Sequence, residues 1–185
     1  MPESTRQAER TLIDRYQDYR TRRFLKHERT YANSLPRWRT QRRRRTLVAV
    51  LAAALAVMLC VSVVCAFGFR QAALVWLPAT LVFFPAFVML QIVSGRQGDA
   101  PKSVLDEYEI QQRNSARSIG LTVTQNLLLV PIFYLIIFAT QMRTADAESV
   151  RDMAYAGGLM ALVALMIGGC LPVMILGWSR PDADE

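Results

Sequence analysis

Leu47 to Phe69 reads LVAVLAAALAVMLCVSVVCAFGF, with no charged side chain anywhere in it. At 1.5 Å per residue, about 20 helical residues cross a hydrocarbon layer of ~30 Å, so this run is long enough to span. It is also too long for a cleavable leader. An export-signal core is about 7–15 residues, and this run follows a basic stretch that reaches Arg45. The reading is a retained membrane helix over 46–69.

Three further runs have the same character. The second is 72–93, with Pro78, Pro85 and Gln91 inside it. The third is 121–142, with Gln125, Asn126 and Pro131. The fourth is 153–178, with two glycine pairs and Pro172. Strands of a membrane barrel would alternate polar and apolar residues over about 10 positions, and these runs do not. Only Arg70 and Gln71 separate the first two runs, so a tight antiparallel hairpin is expected, with Gly68 at the bend.

Composition agrees. Hydrophobic residues make up 52% of the 185 and charged ones 20%, yet mean hydropathy is +0.19. Those values coexist only if the charges are segregated. Residues 1–45 hold 14 of the 22 Lys and Arg and 5 of the 15 acids. This excludes an ordinary soluble enzyme, an acidic disordered chain and a secreted disulfide scaffold. The expected fold class is all-α: a polytopic membrane protein of four transmembrane helices with a basic cytoplasmic N-terminal arm.

Orientation follows from the basic residues. With the arm inside, the arm, the 94–120 loop and the 179–185 tail carry 19 Lys and Arg, against 3 in the external segments, Arg70, Arg143 and Arg151. Both termini are expected in the cytoplasm, with 143–152 as the external loop.

Helices are expected outside the spans too. In the arm, Leu12, Ile13, Tyr16 and Tyr19 share a face, Ser4 and Gln7 have capping-box spacing, and Ala32 to Pro36 reads as a break. In the 94–120 loop, Ser103 is the expected cap of an amphipathic helix. Val104, Leu105, Tyr108, Ala116 and Ile119 would line one face, and Asp106, Glu109, Arg113 and Arg117 the other. This helix can run straight into the third span through Gly120.

Parts for catalysis are scarce. No span contains Asp, Glu, Lys, Arg or His, whereas a proton-coupled pump needs such a group at membrane depth. The one histidine, His27, stands in the arm. Cys60, Cys65 and Cys170 lie in apolar runs without metal-ligand or redox spacing, and read as small buried hydrophobes. The acids at Asp106, Glu107 and Glu109, and at Asp146, Glu148 and Asp152, sit beside arginines in polar connectors. There is no phosphate-binding glycine loop. The expectation is a chain that is not an enzyme and holds no cofactor.

Other features suggest binding. Gln91, Gln125 and Asn126 are polar groups inside spans. They are expected either to bond one another, to face a polar ligand or ion path, or to lie at the interface. Gly157 with Ala161, and Ala164 with Gly168, have spacing that lets backbones approach closely. They fit contact within the chain or with another protein. Ala49, Ala53 and Ala56 share a face of the first span. Arg37, Trp38, Arg39, Arg42, Arg43, Arg44 and Arg45, with Trp178 at the end of the fourth span, form the expected lipid interface for anionic headgroups. The arm could also dock an acidic protein. No recognition motif supports nucleic-acid binding.

One segment also resembles a known group. LDEYEIQQRNSARSIG, residues 105–120, is similar to a Leu-Asp-Glu-Arg…Arg-Asp-x-Ala segment ahead of a span in small actinobacterial integral membrane proteins. Leu105, Asp106, Glu107, Arg113 and Ala116 match. Tyr108 replaces an arginine and Asn114 an aspartate. The likeness covers 16 of 185 residues. It implies a bacterial inner membrane and carries no activity with it.

The expected function is a non-enzymatic accessory or scaffold subunit that associates with a larger membrane complex or with itself. The alternatives are a small oligomeric transporter or channel lined by Gln91, Gln125 and Asn126, and a membrane-anchored regulator acting through the arm.

Overall fold

The computed structural model describes residues 40–94, 106–141 and 146–179, together with Tyr19 and Arg22. Four α-helices run through them. They are α1 (Gln41–Ala66), α2 (Trp76–Val93), α3 (Glu107–Gln141) and α4 (Ala147–Ser179), with a 3-10 helix, Arg70–Val75, leading into α2. No strand occurs among the described residues. All four helices are long and apolar enough to cross a membrane.

The helix α1 begins at Gln41, just ahead of the polyarginine run and earlier than the apolar boundary at 46. Arginine is a good helix former and nothing between Gln41 and Leu47 breaks the pattern. Its buried residues repeat every seven: Arg44, Leu51, Met58 and Cys65. Leu47, Val48, Ala54, Leu55, Val61 and Ser62 fill the half-steps. That 3.5-residue period is the seam of a left-handed helix pair. Ala49, Ala53 and Ala56 fall on the other side and are exposed. Buried Ser62 stays satisfied, because its hydroxyl donates to the Met58 carbonyl at 2.7 Å.

The expected hairpin forms at Gly68, whose φ of +91° is open to glycine at little cost. The Phe67 and Gly68 amides donate back to the Val64 and Cys65 carbonyls at 3.1 Å, closing the helix end. Pro78 lies in the first turn of α2, where a missing N–H costs least.

The helix α4 is the centre. It packs broadly on α3 and on α1, while α2 lies mainly on α1 and touches α4 near its end. Ala156, Val163, Cys170 and Gly177, again seven apart, are buried along α4. Val163 and Cys170 join Leu51, Met58, Phe83 and Leu90 of α1 and α2 in the main core. Ala156 joins Val61 and Cys65 in a second cluster nearer the hairpin.

The two longest helices outrun the apolar segments they contain. Thirty-three residues in α4 and 35 in α3 correspond to roughly 50 Å each, well over a ~30 Å layer. The stretch 107–120, expected as a loop helix, is one continuous helix with the third span. It starts at Glu107, whose amide donates to Asp106 Oδ1 at 2.7 Å. Glu109 Oε2 accepts from the Asp106 amide at 3.4 Å, the reciprocal half of a capping box. The proposed cap Ser103, the arm helix before Tyr19, and Arg37, Trp38 and Arg39 lie outside the described residues.

Candidate interaction face and the basic end of the bundle

Small residues set the α3–α4 contact. A Cβ on Gly120 would stand 2.9 Å from the Gly168 carbonyl oxygen and 3.1 Å from the Pro172 ring. A Cβ on Gly168 would fall on the Thr124 side chain, and one on Gly157 would meet Leu135. Gly157, Ala164 and Gly168 are buried, and Ala161 is half-buried. The Thr124 hydroxyl donates to the Gly120 carbonyl at 2.7 Å, so it reaches the crossing without an unmet donor.

This crossing decides which face of α3 turns inward. Arg113, Ala116, Gly120 and Pro131 are its buried residues. Arg113, expected on the polar outer face, is 4% exposed, whereas Tyr108 is 71% exposed and Ile119 49%. The reason is geometric. Arg113 precedes Gly120 by two turns and must share its face, and a close backbone approach admits small residues and an arginine stem better than bulky side chains. Asp106 and Arg117 are exposed, and Glu109 is half-buried.

The same contacts fix the relative heights of the helices. Thr124 meets Gly168 and Leu135 meets Gly157, while Gly177 meets Leu90 and Val48. Gln91 therefore stands level with Trp178 at the arginine-bearing end. Gln125 and Asn126 stand level with Met166 and Ile167, near the middle of the 153–178 apolar run. At 1.5 Å per residue the separation along the axis is about 16 Å. The expected bond between Gln91 and Gln125 or Asn126 is therefore not formed. Asn126 Nδ2 instead donates to the Thr122 carbonyl of its own helix at 2.9 Å.

The offset also leaves α3 polar where its neighbours are apolar. Its apolar run begins at Leu121, about level with Leu171. The run of α1 begins level with Gly177, and that of α4 ends at Trp178. Asn114, Ser115, Ser118, Thr122 and Gln125 are all exposed there, and Gln111 is exposed just beyond. Of the most apolar 18 residues in each spanning segment, 44% are buried in α1, 33% in α4, 17% in the segment of α2 and 6% in α3. The third helix thus buries the smallest share of its span inside the bundle.

At the basic end the Arg45 guanidinium lies over the Trp178 ring, 5.1 Å from its centroid. Arg42 and Arg43 are exposed, while Arg44 turns inward and is 4% exposed. At the opposite end the acids are structural. Arg70 reaches Asp152 at 3.5 Å, tying the hairpin to α4. Arg151 pairs with Glu148 at 3.3 Å. Asp146 accepts from the Ser149 hydroxyl at 2.6 Å, and this bond holds its carboxyl below the ordinary value. No group of His, Cys, Asp and Glu among the described residues could hold a metal ion.

Comparison with family models, with curated proteins and with solved structures found no match to this chain.

Proposed function

We propose that this chain is a non-enzymatic accessory or scaffold subunit of a bacterial inner membrane, both termini cytoplasmic, that works by association with another membrane subunit or with itself. The observation that supports this most is the uncovered outer face of α3, which carries Gln125 at mid-height of an apolar bundle. Lipid offers no hydrogen bonds, so a carboxamide there gains by finding a protein partner. The arginines around the start of α1, with Trp178 beside Arg45, suit contact with anionic headgroups at the inner surface. The likeness of 105–120 to actinobacterial membrane proteins points to the same setting.

The test is the state of the full-length protein in mild detergent and in native-membrane crosslinking. A complex or a self-assembly is expected. A monomer with no crosslinked neighbour sinks the reading. The transporter alternative needs its three polar residues along one path. With Gln91 about 16 Å from Gln125 along the axis, that geometry gives it less support. Flux in proteoliposomes that is lost in Asn126→Leu would restore it.

A further inference from the structure

The outer face of α3 has a pattern of its own. Gln111, Ser115, Ser118, Thr122 and Gln125 follow one another at steps of four, three, four and three residues. That is the spacing of a seam between two helices crossing at a shallow angle. It runs along the side opposite the Arg113–Ala116–Gly120 face that meets α4, and every member is exposed. Among the described residues none of their side chains forms a hydrogen bond within the chain. We propose that this stripe pairs with the same stripe of a second copy, the two α3 helices lying parallel about a two-fold axis.

The chemistry selects the occupant. This inference rests on the membrane-subunit reading above, and insertion in one orientation makes two copies parallel. Identical residues then face one another across the axis. Such an arrangement tolerates no charge within the seam, and Gln111 to Gln125 has none: Arg113 turns toward α4, and Glu107, one step before Gln111, stands exposed at the start of the helix. Carboxamides and hydroxyls donate and accept at once, so each is a complete partner for its own kind. Ser115, Ser118 and Thr122 are small, which lets two backbones come close enough for those bonds. Farther along, the seam continues through Leu129 and Ile136, both exposed, which supply apolar contact. At the heights of Ser118, Thr122 and Gln125 a lipid tail would leave the amide and hydroxyls unmet. A strongly charged helix would find no counter-charge here.

The test is disulfide trapping of the full-length protein in native-membrane vesicles. Of its three cysteines only Cys60 is exposed, so Cys60→Ala clears the background. Single cysteines are then placed at 115, 118, 119, 121 and 122. After oxidation, a product of twice the chain mass is expected at 115, 118 and 122 and to fall several-fold at 119 and 121, which flank the seam. In liposomes, energy transfer between labelled copies should show self-association roughly 3- to 30-fold weaker for each bonded pair removed, as in Gln125→Leu or Thr122→Val. Equal trapping at 119 and 121, or unchanged energy transfer in both variants, overturns the pairing. Trapping at 115, 118 and 122 to a different polypeptide overturns the second copy as occupant but leaves the accessory-subunit reading standing. No trapping, in a protein that is also monomeric without neighbours, overturns both.

Discussion

Gly120 and Gly168 close the crossing of α3 and α4 from both sides: a methyl on the first would stand 2.9 Å from the second's carbonyl oxygen. Rigid backbone cannot yield as a side-chain tip can, and neither can the branched Cβ of Thr124, 2.7 Å from a methyl on Gly168. Gly120→Ala and Gly168→Ala are therefore expected to destabilise by about 1–3 kcal/mol, the usual cost of overpacking. Gly157→Ala and Gly177→Ala meet the flexible ends of Leu135 and Leu90 and should cost less. Gly158 and Gly169 have nothing within 4 Å, so alanine there should be neutral or stabilising by up to ~1 kcal/mol. Reversible unfolding in mixed micelles ranks the six variants. A Gly169→Ala as costly as Gly168→Ala would refute the crossing.

The four helices were legible in the sequence because an apolar run declares itself by length alone. Gly157 and Gly168 were legible as contact residues, though the sequence left open whether their partner lay in this chain. What a single sequence lacks is the offset between helices. Hydropathy places the start of the third span at Leu121, and from that boundary Gln125 belongs near the inner surface beside Gln91. The Thr124–Gly168 contact slides α3 along α4 and carries Gln125 to mid-height. Arg113 was misplaced for a related reason. Its charge assigns it to water, but its position two turns before Gly120 assigns it to α4, and the helix repeat outweighs the charge. The 3.5-residue polar stripe from Gln111 to Gln125 was present in the sequence. It crosses the boundary drawn between loop and span, which hid it.

The three thiols should separate by burial. Cys60 is exposed, and Cys65 and Cys170 are buried. Cys60 stands at mid-height of α1 facing the detergent tails, so with a maleimide apolar enough to enter them one thiol per chain should react fast and two only on unfolding. Cys60→Ala should abolish the fast phase, as followed by intact mass. Two fast thiols in the parent protein would contradict the burial of the α1–α4 seam.

Arg70 and Asp152 join the hairpin to the first turns of α4, with side chains 51% and 27% exposed. Solvent screening keeps such a pair weak. A double-mutant cycle of Arg70→Gln and Asp152→Asn should return a coupling of about 0–1 kcal/mol. The coupling should vanish in ~1 M salt, where the screening length falls to about 3 Å. A coupling that survives high salt would mean that the pair is drier than its exposure says.

Asp146 opens α4, accepting from the Val150 amide through its carbonyl at 3.3 Å and from the Ser149 hydroxyl through its carboxylate. The Ser149 bond lowers its pKa. A depressed carboxyl stabilises the fold above its unfolded value, and that contribution disappears as pH falls through the folded value. Acidification should therefore fray the first turn of α4. Corrected for intrinsic rates, amide exchange at Ser149 and Val150 should quicken at acid pH while exchange at Val163 does not. Asp146→Ala should be frayed at neutral pH and insensitive to acid. Faster exchange on raising pH from acid to neutral would reverse the sign and refute the cap.

Beside the apolar contact of Val48 with Gly177, Arg45 over Trp178 links the first spanning helix to the last turn of the fourth at the basic end. Its 5.1 Å separation is within reach of a cation–π attraction of about 0.5–1 kcal/mol at an exposed site. Trp178→Phe keeps an aromatic face of weaker quadrupole and should lose part of that coupling, while Trp178→Leu should lose all of it. In the Trp178→Leu background, Arg45→Ala should cost nothing further beyond the general effect of removing a charge. Arg43→Ala, exposed on the same turn, supplies that baseline. If Arg45→Ala and Arg43→Ala were equally costly beside intact Trp178, the arginine run would act at this site only as a field felt by headgroups, and the contact would contribute nothing to joining the helices.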